Sequence, residues 1–376
     1  MDFAAGPGAA DGNAAGWSYT MRMRFLRWFG GFAALVACGY GCGSTAGSAA
    51  SPAKPTDAAA MDAGAADEEA GDSFGTPVPD LPFPITNDPG DSGPGTVAID
   101  DAASAVDPSA AYSVTLTMSP FTVEPNREVY KCQDFANPFG GQAVDIHRYD
   151  LDMNEGSHHM ILFYSQGATD GNVVDCPNGG FQQGPNTFGA QTPKASQTYP
   201  DGVGAAIPAG TGFTMNAHYV NSGSTPIQAA VKLTMFVAKP GLTTQHAGVV
   251  SFILTSITIP PTGQPYPVSG TCAIPQDMNV IFAGSHMHQR ATAFTATTGA
   301  TTLYETTAWS DPPSKAFSPP LALAANSNVT WTCTYVNDTG SPLVFGQSAL
   351  TNAMCNFGAT FYPVEDPSNP VISCLK

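Results

Sequence analysis

The stretch Val329-Thr-Trp-Thr-Cys-Thr-Tyr335 alternates large side chains with threonine. Successive side chains of a β-strand point to opposite faces, so this pattern predicts a strand with one buried face. The same alternation occurs at residues 114–118 and 231–237. Proline and glycine interrupt the chain often, and no long segment has helical periodicity. The sequence therefore predicts an all-β fold.

The predicted strands lie beyond about residue 112, and a break at Lys239-Pro-Gly-Leu242 divides this part into two halves. We expect an N-terminal domain at residues 112–238 and a C-terminal domain at residues 239–376. Each half has the usual size of a β-sandwich. The predicted fold class is thus two consecutive, disulfide-braced, antiparallel β-sandwiches of the jelly-roll kind.

Residues 39–111 consist mostly of alanine, glycine, proline, serine and aspartate. Such a composition cannot bury a core, so we expect a disordered tether. From Gly43 onward this segment has twelve acidic residues and only Lys54 as a basic one, which accounts for a net charge of −11 of the chain's −17. The acidity therefore belongs mainly to the tether. No basic patch with interleaved aromatic residues is present, so nucleic acid is not an expected partner.

Residues 1–38 are interpreted as an N-terminal extension followed by a secretory signal. Three arginines precede a short apolar run that is too short and too interrupted by glycine to span a bilayer. The run ends in Leu35-Val-Ala-Cys38, which resembles the lipobox of bacterial lipoproteins, whereas Cys42 lacks this context. We expect an exported protein that is anchored in the bacterial envelope through acylated Cys38. Gly39 favours the outer membrane, and the alternative is an ordinary signal.

Six cysteines lie beyond the tether: Cys132, Cys176, Cys272, Cys333, Cys355 and Cys374. An even number in an exported chain indicates disulfides, because the compartment oxidises thiols. No two of them form a Cys-x-x-Cys pair, which argues against a thiolate zinc site or a thioredoxin-like redox centre. The remaining candidates for metal or redox chemistry are histidines.

The chain has only seven histidines, and five of them fall into three short motifs. These are the adjacent pair His158-His159, the single His218 before Tyr219, and the pair His286-Met-His288. Residues two apart in a strand share a face, so His286 and His288 can present two imidazoles to one ion. His158 and His159 would point to opposite faces of a regular strand, so joint binding there requires a strand end or a bulge. His147 and His246 lack such company, and no metal role is assigned to them.

The order of these motifs resembles that of the copper type II, ascorbate-dependent monooxygenases. The similarity extends from Val129-Tyr-Lys-Cys132 to Cys374 and includes His158-His-Met-Ile-Leu-Phe163, Ile207-Pro-Ala-Gly-Thr-Gly-Phe213, His218-Tyr219, Ile259-Pro-Pro261, His286-Met-His288, Met354-Cys-Asn356 and Phe361-Tyr-Pro363. It covers essentially the whole predicted folded part, and several short motifs in one order are hard to obtain by chance.

The resemblance implies two coppers per chain, each held by one domain. His158, His159 and His218 would hold an electron-transfer copper, and His286, His288 and Met354 would hold an oxygen-activating copper. The ligand types agree with this assignment, because imidazole suits copper in both oxidation states and a soft thioether favours Cu(I). The implied reaction is hydroxylation of a C–H bond with dioxygen, with electrons from a reductant such as ascorbate.

The resemblance also implies two disulfides. Cys333 would pair with Cys355 and support the strand that carries Met354, and Cys272 would pair with Cys374 and close the second domain. Cys132 and Cys176 are then left to pair with each other.

The chain departs from the peptide-hydroxylating members of that family at two positions. Gly284 and Gly358 stand where those members have an arginine and a tyrosine that help to bind the substrate carboxylate. Asn356 matches a substrate-binding asparagine, but one amide cannot replace the bidentate grip of an arginine. The sequence thus leaves open whether the substrate is a small molecule or a peptide, and it argues against a peptidyl-glycine.

Two alternatives to the enzyme follow from the same residues. A copper-binding or copper-delivering envelope lipoprotein could keep the same ligands without a substrate pocket. A sandwich used for adhesion or surface structure would keep the histidines as scaffold, but it has no need of five imidazoles and Met354. The enzyme is favoured over the carrier because a carrier needs one site and the pattern supplies two dissimilar ones.

Overall fold

A computed structural model of the chain describes residues 94–177, 184–367 and 369–376. The predicted signal, Cys38 and residues 39–93 of the predicted tether lie outside this range. Within it, no helix is long and apolar enough to cross a membrane.

The first domain begins before the predicted boundary at residue 112. A strand, β1, covers Thr96–Asp100, and a 3-10 helix covers Asp101–Ala105. Asp100 caps this helix by accepting a hydrogen bond from the Ala102 N–H. β1 is exposed along its whole length, so its composition resembles that of a tether. Its backbone nevertheless pairs with the next strand. The tether prediction is therefore wrong for residues 96–111, which belong to the folded domain.

The described strands of the first domain are β1, β2 (Ala110–Thr117), β3 (Phe121–Val123), β4 (Arg127–Phe135), β5 (Val144–Met153), β6 (Ser157–Gln166), β7 (Val174–Asp175), β8 (Asn186–Ala190), β9 (Lys194–Thr198), β10 (Val203–Ile207), β11 (Thr211–Asn221), β12 (Ile227–Ala229), β13 (Val231–Ala238) and β14 (Gln245–His246). Seven form one sheet in the order β1-β2-β13-β5-β10-β14, with β9 also paired to β5. Five form a second sheet in the order β7-β4-β11-β6-β8, and β3 pairs with β12.

The two larger sheets of the first domain share one apolar core. Val114 and Leu233 come from the first sheet, and Leu162 and Met215 come from the second; all four are buried. The period-two pattern of β2 and β13 explains this arrangement, because every second residue points inward. The core also includes Ile281 from the second half of the chain, so the two domains pack against each other.

The described strands of the second domain are β15 (Gly248–Leu254), β16 (Thr258–Ile259), β17 (Pro265–Ala273), β18 (Met278–Met287), β19 (Ala291–Thr298), β20 (Thr301–Thr306), β21 (Lys315–Leu323), β22 (Asn328–Val336), β23 (Leu343–Val344), β24 (Cys355–Tyr362) and β25 (Val371–Leu375). One sheet has the order β21-β18-β24-β15-β25, and the other has the order β17-β22-β19-β20; β16 pairs with β23.

The stretch that predicted the fold lies in β22, at the centre of the second core. Val329, Trp331, Cys333 and Tyr335 are completely buried, as the alternation with threonine predicts. Their side chains pack against residues of the facing sheet such as Phe252. The all-β sandwich prediction is therefore confirmed for both domains.

The prediction of purely antiparallel sheets needs one correction. β10 pairs in parallel with β14, and β15 pairs in parallel with β25. In the second case β25 does not pair with β24, its predecessor in sequence, but lies on the far side of β15 and pairs with that strand. A strand that reverses direction but skips one position in an antiparallel sheet ends parallel to the skipped strand.

The three expected cysteine pairs are the three that the structure joins: Cys132–Cys176, Cys272–Cys374 and Cys333–Cys355. Cys333 and Cys355 connect facing sheets through the second core, and Cys272 and Cys374 connect the same sheets through β17 and β25. Three disulfides in one chain indicate an exported protein, because reducing compartments do not maintain them.

Candidate metal centre

His158 and His159 lie near the start of β6, where the pairing of β6 with β11 is irregular. Tyr219 pairs with Ser157 and His218 pairs with His159, so His158 is an extra residue in the ladder. Such a bulge lets two consecutive side chains point toward one side of the sheet. The ring centroids of His158 and His159 are 5.5 Å apart, and each is 4.9 Å from His218. The expected departure from regular strand geometry is therefore present.

His286 and His288 lie at the end of β18 and just beyond it, with ring centroids 5.0 Å apart. Their shared face is turned toward the first domain. His286 lies 5.1 Å from His158 and 5.2 Å from His159, measured between ring centroids. The five histidines of the three sequence motifs thus form one cluster at the junction of the two sandwiches.

The cluster differs from the two separate sites, one in each domain, that the family resemblance implies. The ligand atoms of His158, His159 and His218 lie within 4.8 Å of one another, as do those of His158, His286 and His288. His158 belongs to both triads. Two sequence motifs that are far apart along the chain therefore meet at one residue, which no strand pattern could predict.

The five imidazoles are held in their neutral form. Burial lowers the pKa of His159, His218 and His286 well below the ordinary value of 6.5, and neighbouring histidines lower the pKa of each further. Burial also lowers the pKa of His158, and it lowers the pKa of His288 to about 3. A neutral imidazole carries a free lone pair, which is the form that binds a metal.

Hydrogen bonds fix which nitrogen of three of these rings carries the proton. His158 donates from Nδ1 to the Ser310 carbonyl at 3.0 Å, and His218 donates from Nε2 to the Glu128 carboxylate at 2.9 Å. His286 donates from Nδ1 to the Gln191 side-chain oxygen at 2.5 Å. The opposite nitrogen of each ring therefore has the lone pair. Hydrogen bonding of one imidazole nitrogen to a carboxylate or carbonyl is typical of histidines that bind metals through the other.

Several of the remaining nitrogens are buried without a hydrogen-bond partner. They include His158 Nε2, His218 Nδ1 and His159 Nδ1. Both ring nitrogens of His288 are also buried without a hydrogen-bond partner. The backbone at Asn352 and Ser348 raises the pKa of His288 and so offsets part of the effect of burial. A buried polar atom without a partner costs about 1–3 kcal/mol, so a protein does not gather several of them without a compensating ligand. The residues fit a metal ion.

Glu128 links this cluster to the second domain. Its carboxylate accepts hydrogen bonds from His218 at 2.9 Å, from the Ser348 hydroxyl at 2.7 Å and from the Ala349 N–H at 2.6 Å. Two residues along β4, Tyr130 stacks on His218 with ring centroids 3.8 Å apart. The Tyr130 hydroxyl donates to the Gln347 carbonyl at 2.6 Å. The first domain therefore holds residues 347–349, which precede Met354.

Met354 is buried, and its backbone is fixed from the opposite side. The Tyr335 hydroxyl donates to the Met354 carbonyl at 2.5 Å, and the Trp331 indole donates to the Cys355 carbonyl at 3.0 Å. The Cys333–Cys355 disulfide adds a covalent link at the next residue. Met354 lines a cavity together with His159 and His286, and Asn356 lines the same cavity. The predicted soft ligand and the predicted substrate contact thus line the same cavity as two histidines of the cluster.

The residues that orient the cluster were missed by sequence reasoning. Glu128 and Tyr130 share a face of β4 by the period-two rule, which was an available signal, but nothing in the sequence placed that face beside His218. Gln191, which bonds both His286 and the Ser285 carbonyl, follows no pattern.

The two histidines left without a metal role have carboxylate partners. His147 lies 3.0 Å from Asp107, and His246 lies 3.1 Å from Asp145. Neither belongs to a group of described residues that could hold a metal.

Comparisons with known proteins add little to this geometry. No family model matches the chain, and no curated protein matches it. An anti-sigma factor domain-containing protein is 11% identical with a TM-score of 0.16, covering 66% of this chain and 79% of its own. An oxalate decarboxylase structure is 8% identical with a TM-score of 0.14, covering 67% and 75%. Vicilin from Corylus avellana is 10% identical with a TM-score of 0.13, covering 67% and 83%. Similarities this weak carry no argument about fold or function.

Proposed function

We propose that the protein is an exported, copper-dependent monooxygenase that hydroxylates a C–H bond with dioxygen and a reductant such as ascorbate. The observation that carries the proposal is the cluster of five neutral imidazoles with several buried, unpartnered nitrogens. The motif order that resembles the copper type II monooxygenases supports the same assignment. Both depend on residues from each domain.

The donor set favours copper over the other common metals. Imidazole binds zinc, iron and nickel as well as copper, but the thioether of Met354 favours Cu(I). Bound copper would supply one-electron transfer and activation of dioxygen. Of two coppers per chain, one would be held by His158, His159 and His218, and the other by His286, His288 and Met354.

The surrounding residues would orient these ligands and exclude water. Glu128, Ser310 and Gln191 hold the donating nitrogens of His218, His158 and His286, so the lone pairs of those rings stay directed into the cluster. Burial keeps protons from competing for them near neutral pH. The adjoining cavity would hold the substrate beside His286 and Met354.

Copper delivery is the second candidate, and one observation favours it. The histidines of the two predicted ligand sets lie in a single cluster whose two triads share His158, whereas the argument for an enzyme over a carrier began from two dissimilar sites. The cavity beside the cluster favours the enzyme, since a carrier has no use for a substrate pocket.

Metal analysis and dioxygen uptake separate these candidates. The purified chain should bind copper, and His158→Ala should lower the bound amount far more than His246→Ala, a matched change at a histidine outside the cluster. With ascorbate and a suitable substrate, the copper-loaded protein should consume dioxygen above the background of free copper. Copper binding with rapid transfer to an acceptor and no such uptake would favour delivery. Absence of copper binding would remove both candidates.

We further propose that acylated Cys38 anchors the protein in the bacterial envelope, on the outer membrane. A diacylglyceryl thioether with an amide-linked acyl chain holds a protein stably, whereas one chain does not. Cys38→Ser should release the protein from sedimented membranes, and Cys42→Ser, four residues further on, should leave it there. A Cys38→Ser protein that still sediments wholly with membranes would remove this proposal.

A further inference from the structure

The cavity beside the histidine cluster lies between the two sandwiches and has a volume of about 380 Å³. Its walls come from β6 and β8 of the first domain and from β15, β18, β24 and β25 of the second. This volume is within the range of sites for small organic ligands. His159, His286 and Met354 lie at its border, so an occupant would reach the cluster directly.

The described lining of the cavity contains no aspartate, glutamate, lysine or arginine. Its apolar part includes Phe163, Phe188, Ile253, Phe282, Phe357 and Leu375. An ionised group entering such a space would lose its hydration and find no side chain of opposite charge. Charged ligands are therefore selected against, and apolar surface is favoured.

The floor of the cavity is a ladder of paired residues from β18 and β24. His286 pairs with Asn356, then Gly284 with Gly358, then Phe282 with Thr360. Each step of two residues covers roughly 7 Å along the strand. The glycine pair therefore lies about 7 Å from His286, and Phe282 lies about 14 Å from it. The register thus defines a trough that leads away from the metal cluster.

The glycine pair keeps the middle of this trough open. A Cβ added to Gly284 would meet only the Ser314 hydroxyl oxygen, at 4.0 Å, and a Cβ added to Gly358 would meet only the Val250 carbonyl oxygen, at 3.8 Å. Neither glycine is required by crowding, and neither has a positive φ. Their effect in the structure is to leave room for a ligand.

One polar atom in this row has no partner. The side-chain oxygen of Asn356 is buried without a hydrogen bond, and Asn356 faces His286 across the two strands. A carboxamide oxygen accepts hydrogen bonds, so it calls for a donor on the occupant. An alcohol or an N–H group can supply that donor, whereas a carboxylate cannot.

We infer that this cavity binds a neutral, largely apolar small molecule with one hydrogen-bond donor, and that it rejects carboxylates. That the occupant is a substrate rests on the proposed function; the binding preference does not. In the trough, the donor would lie at Asn356, and the apolar body would extend over the two glycines toward Phe282.

A matched pair of ligands tests the preference. Binding of 2-naphthalenemethanol and 2-naphthoate, which share a ring system and differ in charge, is measured by calorimetry on the metal-free full chain, so that no metal can bind the carboxylate. The chain carries Cys38→Ser, so that no detergent is needed. The alcohol should bind at least about 10-fold more tightly than the carboxylate. Equal binding, tighter binding of the carboxylate, or no binding of the alcohol would overturn the inference.

Two substitutions at one position place the binding in the trough. Gly284→Met fills the space above the glycine pair without adding charge and should weaken the alcohol at least about 10-fold. Gly284→Arg fills the same space with a cation and should bind the carboxylate more tightly than the Gly284→Met protein does. Unchanged alcohol binding in the Gly284→Met protein would place the ligand elsewhere and contradict the inference. Circular dichroism checks the fold of each variant, and the wild-type ligand pair remains decisive if the arginine is not tolerated.

Calorimetry needs no turnover, so the inference and the proposed function fail separately. Tight binding of the alcohol without dioxygen uptake would leave the cavity preference intact and count against the monooxygenase. Turnover of a carboxylate substrate would support the monooxygenase and overturn the cavity preference.

Discussion

Glu128 offers the most direct test of how the two domains share the histidine cluster. Its carboxylate accepts three hydrogen bonds, from His218 in the first domain and from Ser348 and Ala349 in the second. The side chain is only 13% exposed, so water cannot easily replace it. Glu128→Ala therefore leaves three donors without their acceptor and removes the group that orients His218.

The cost follows from those three contacts. A buried donor left without a partner costs about 1–3 kcal/mol. Ala349 is buried and Ser348 is half-buried, but the hydrogen bonds that both donate to Glu128 are only partly buried, so the lower value applies to each donor. We expect Glu128→Ala to lower the free energy of unfolding by about 3 kcal/mol. Glu128→Gln keeps one oxygen for His218 and Ala349, and its expected cost is about 1 kcal/mol.

Urea unfolding of the metal-free protein measures this difference, and competition with a chelator measures copper affinity. The affinity of Glu128→Ala should fall by about 10- to 100-fold, the usual effect of losing a partner that orients a metal-binding histidine. Glu124→Ala is the matched control, because Glu124 is exposed and lies four residues earlier. Equal unfolding midpoints and equal copper affinities for Glu128→Ala and Glu124→Ala would refute the reasoning.

Three further predictions concern the ligands. His158→Ala should lower copper stoichiometry at both triads, because His158 belongs to each, whereas His246→Ala should leave it unchanged in elemental analysis. Met354→Leu keeps the side-chain volume but removes the thioether, so Cu(I) affinity should fall by about 10-fold or more while Cu(II) affinity changes little. Met278→Leu, at a buried methionine of the second core, is the control for volume. Equal Cu(I) affinities of the Met354→Leu and Met278→Leu proteins would contradict the assignment of Met354 as a ligand. Because burial holds the folded pKa of the cluster histidines below the unfolded value of 6.5, the unfolded chain binds more protons as the pH falls. Stability of the metal-free protein should therefore fall as the pH drops from about 6.5 toward the folded pKa of His288, about 3, by up to about 1.4 kcal/mol per pH unit for each histidine, and a flat urea midpoint across this range would contradict it.

The fold was predictable where the alternation of large and polar side chains indicates which face of a strand is buried. The residues of β22 are buried on one face because every second side chain is large and apolar, and the pattern needs no knowledge of the partner strand. β1 was not predictable from composition, because all five residues are exposed and its stability comes from backbone pairing with β2. The parallel pairing of β25 depends on a crossover whose path the sequence pattern does not encode.

The candidate site was predictable as a set of residue types but not as an arrangement. Scarce histidines in short motifs identified all five members of the cluster, and strand geometry correctly required an irregularity at His158. The number of sites depends on how the sandwiches pack, and that packing arises from scattered contacts such as Ile281 in the first core. The same contacts place Glu128 beside Ser348, which no local rule relates.

The arrangement of the five histidines has a thermodynamic consequence for the whole chain. Since His158 belongs to one sandwich and His286 and His288 to the other, a metal bound by this triad would bind only the docked pair of domains tightly. Its binding free energy would then add to the docking free energy, by about 2.7 kcal/mol when the free metal is 100 times its dissociation constant. The cohesion of the two halves would thereby follow the metal supply of the compartment, and resistance to proteolysis would report it.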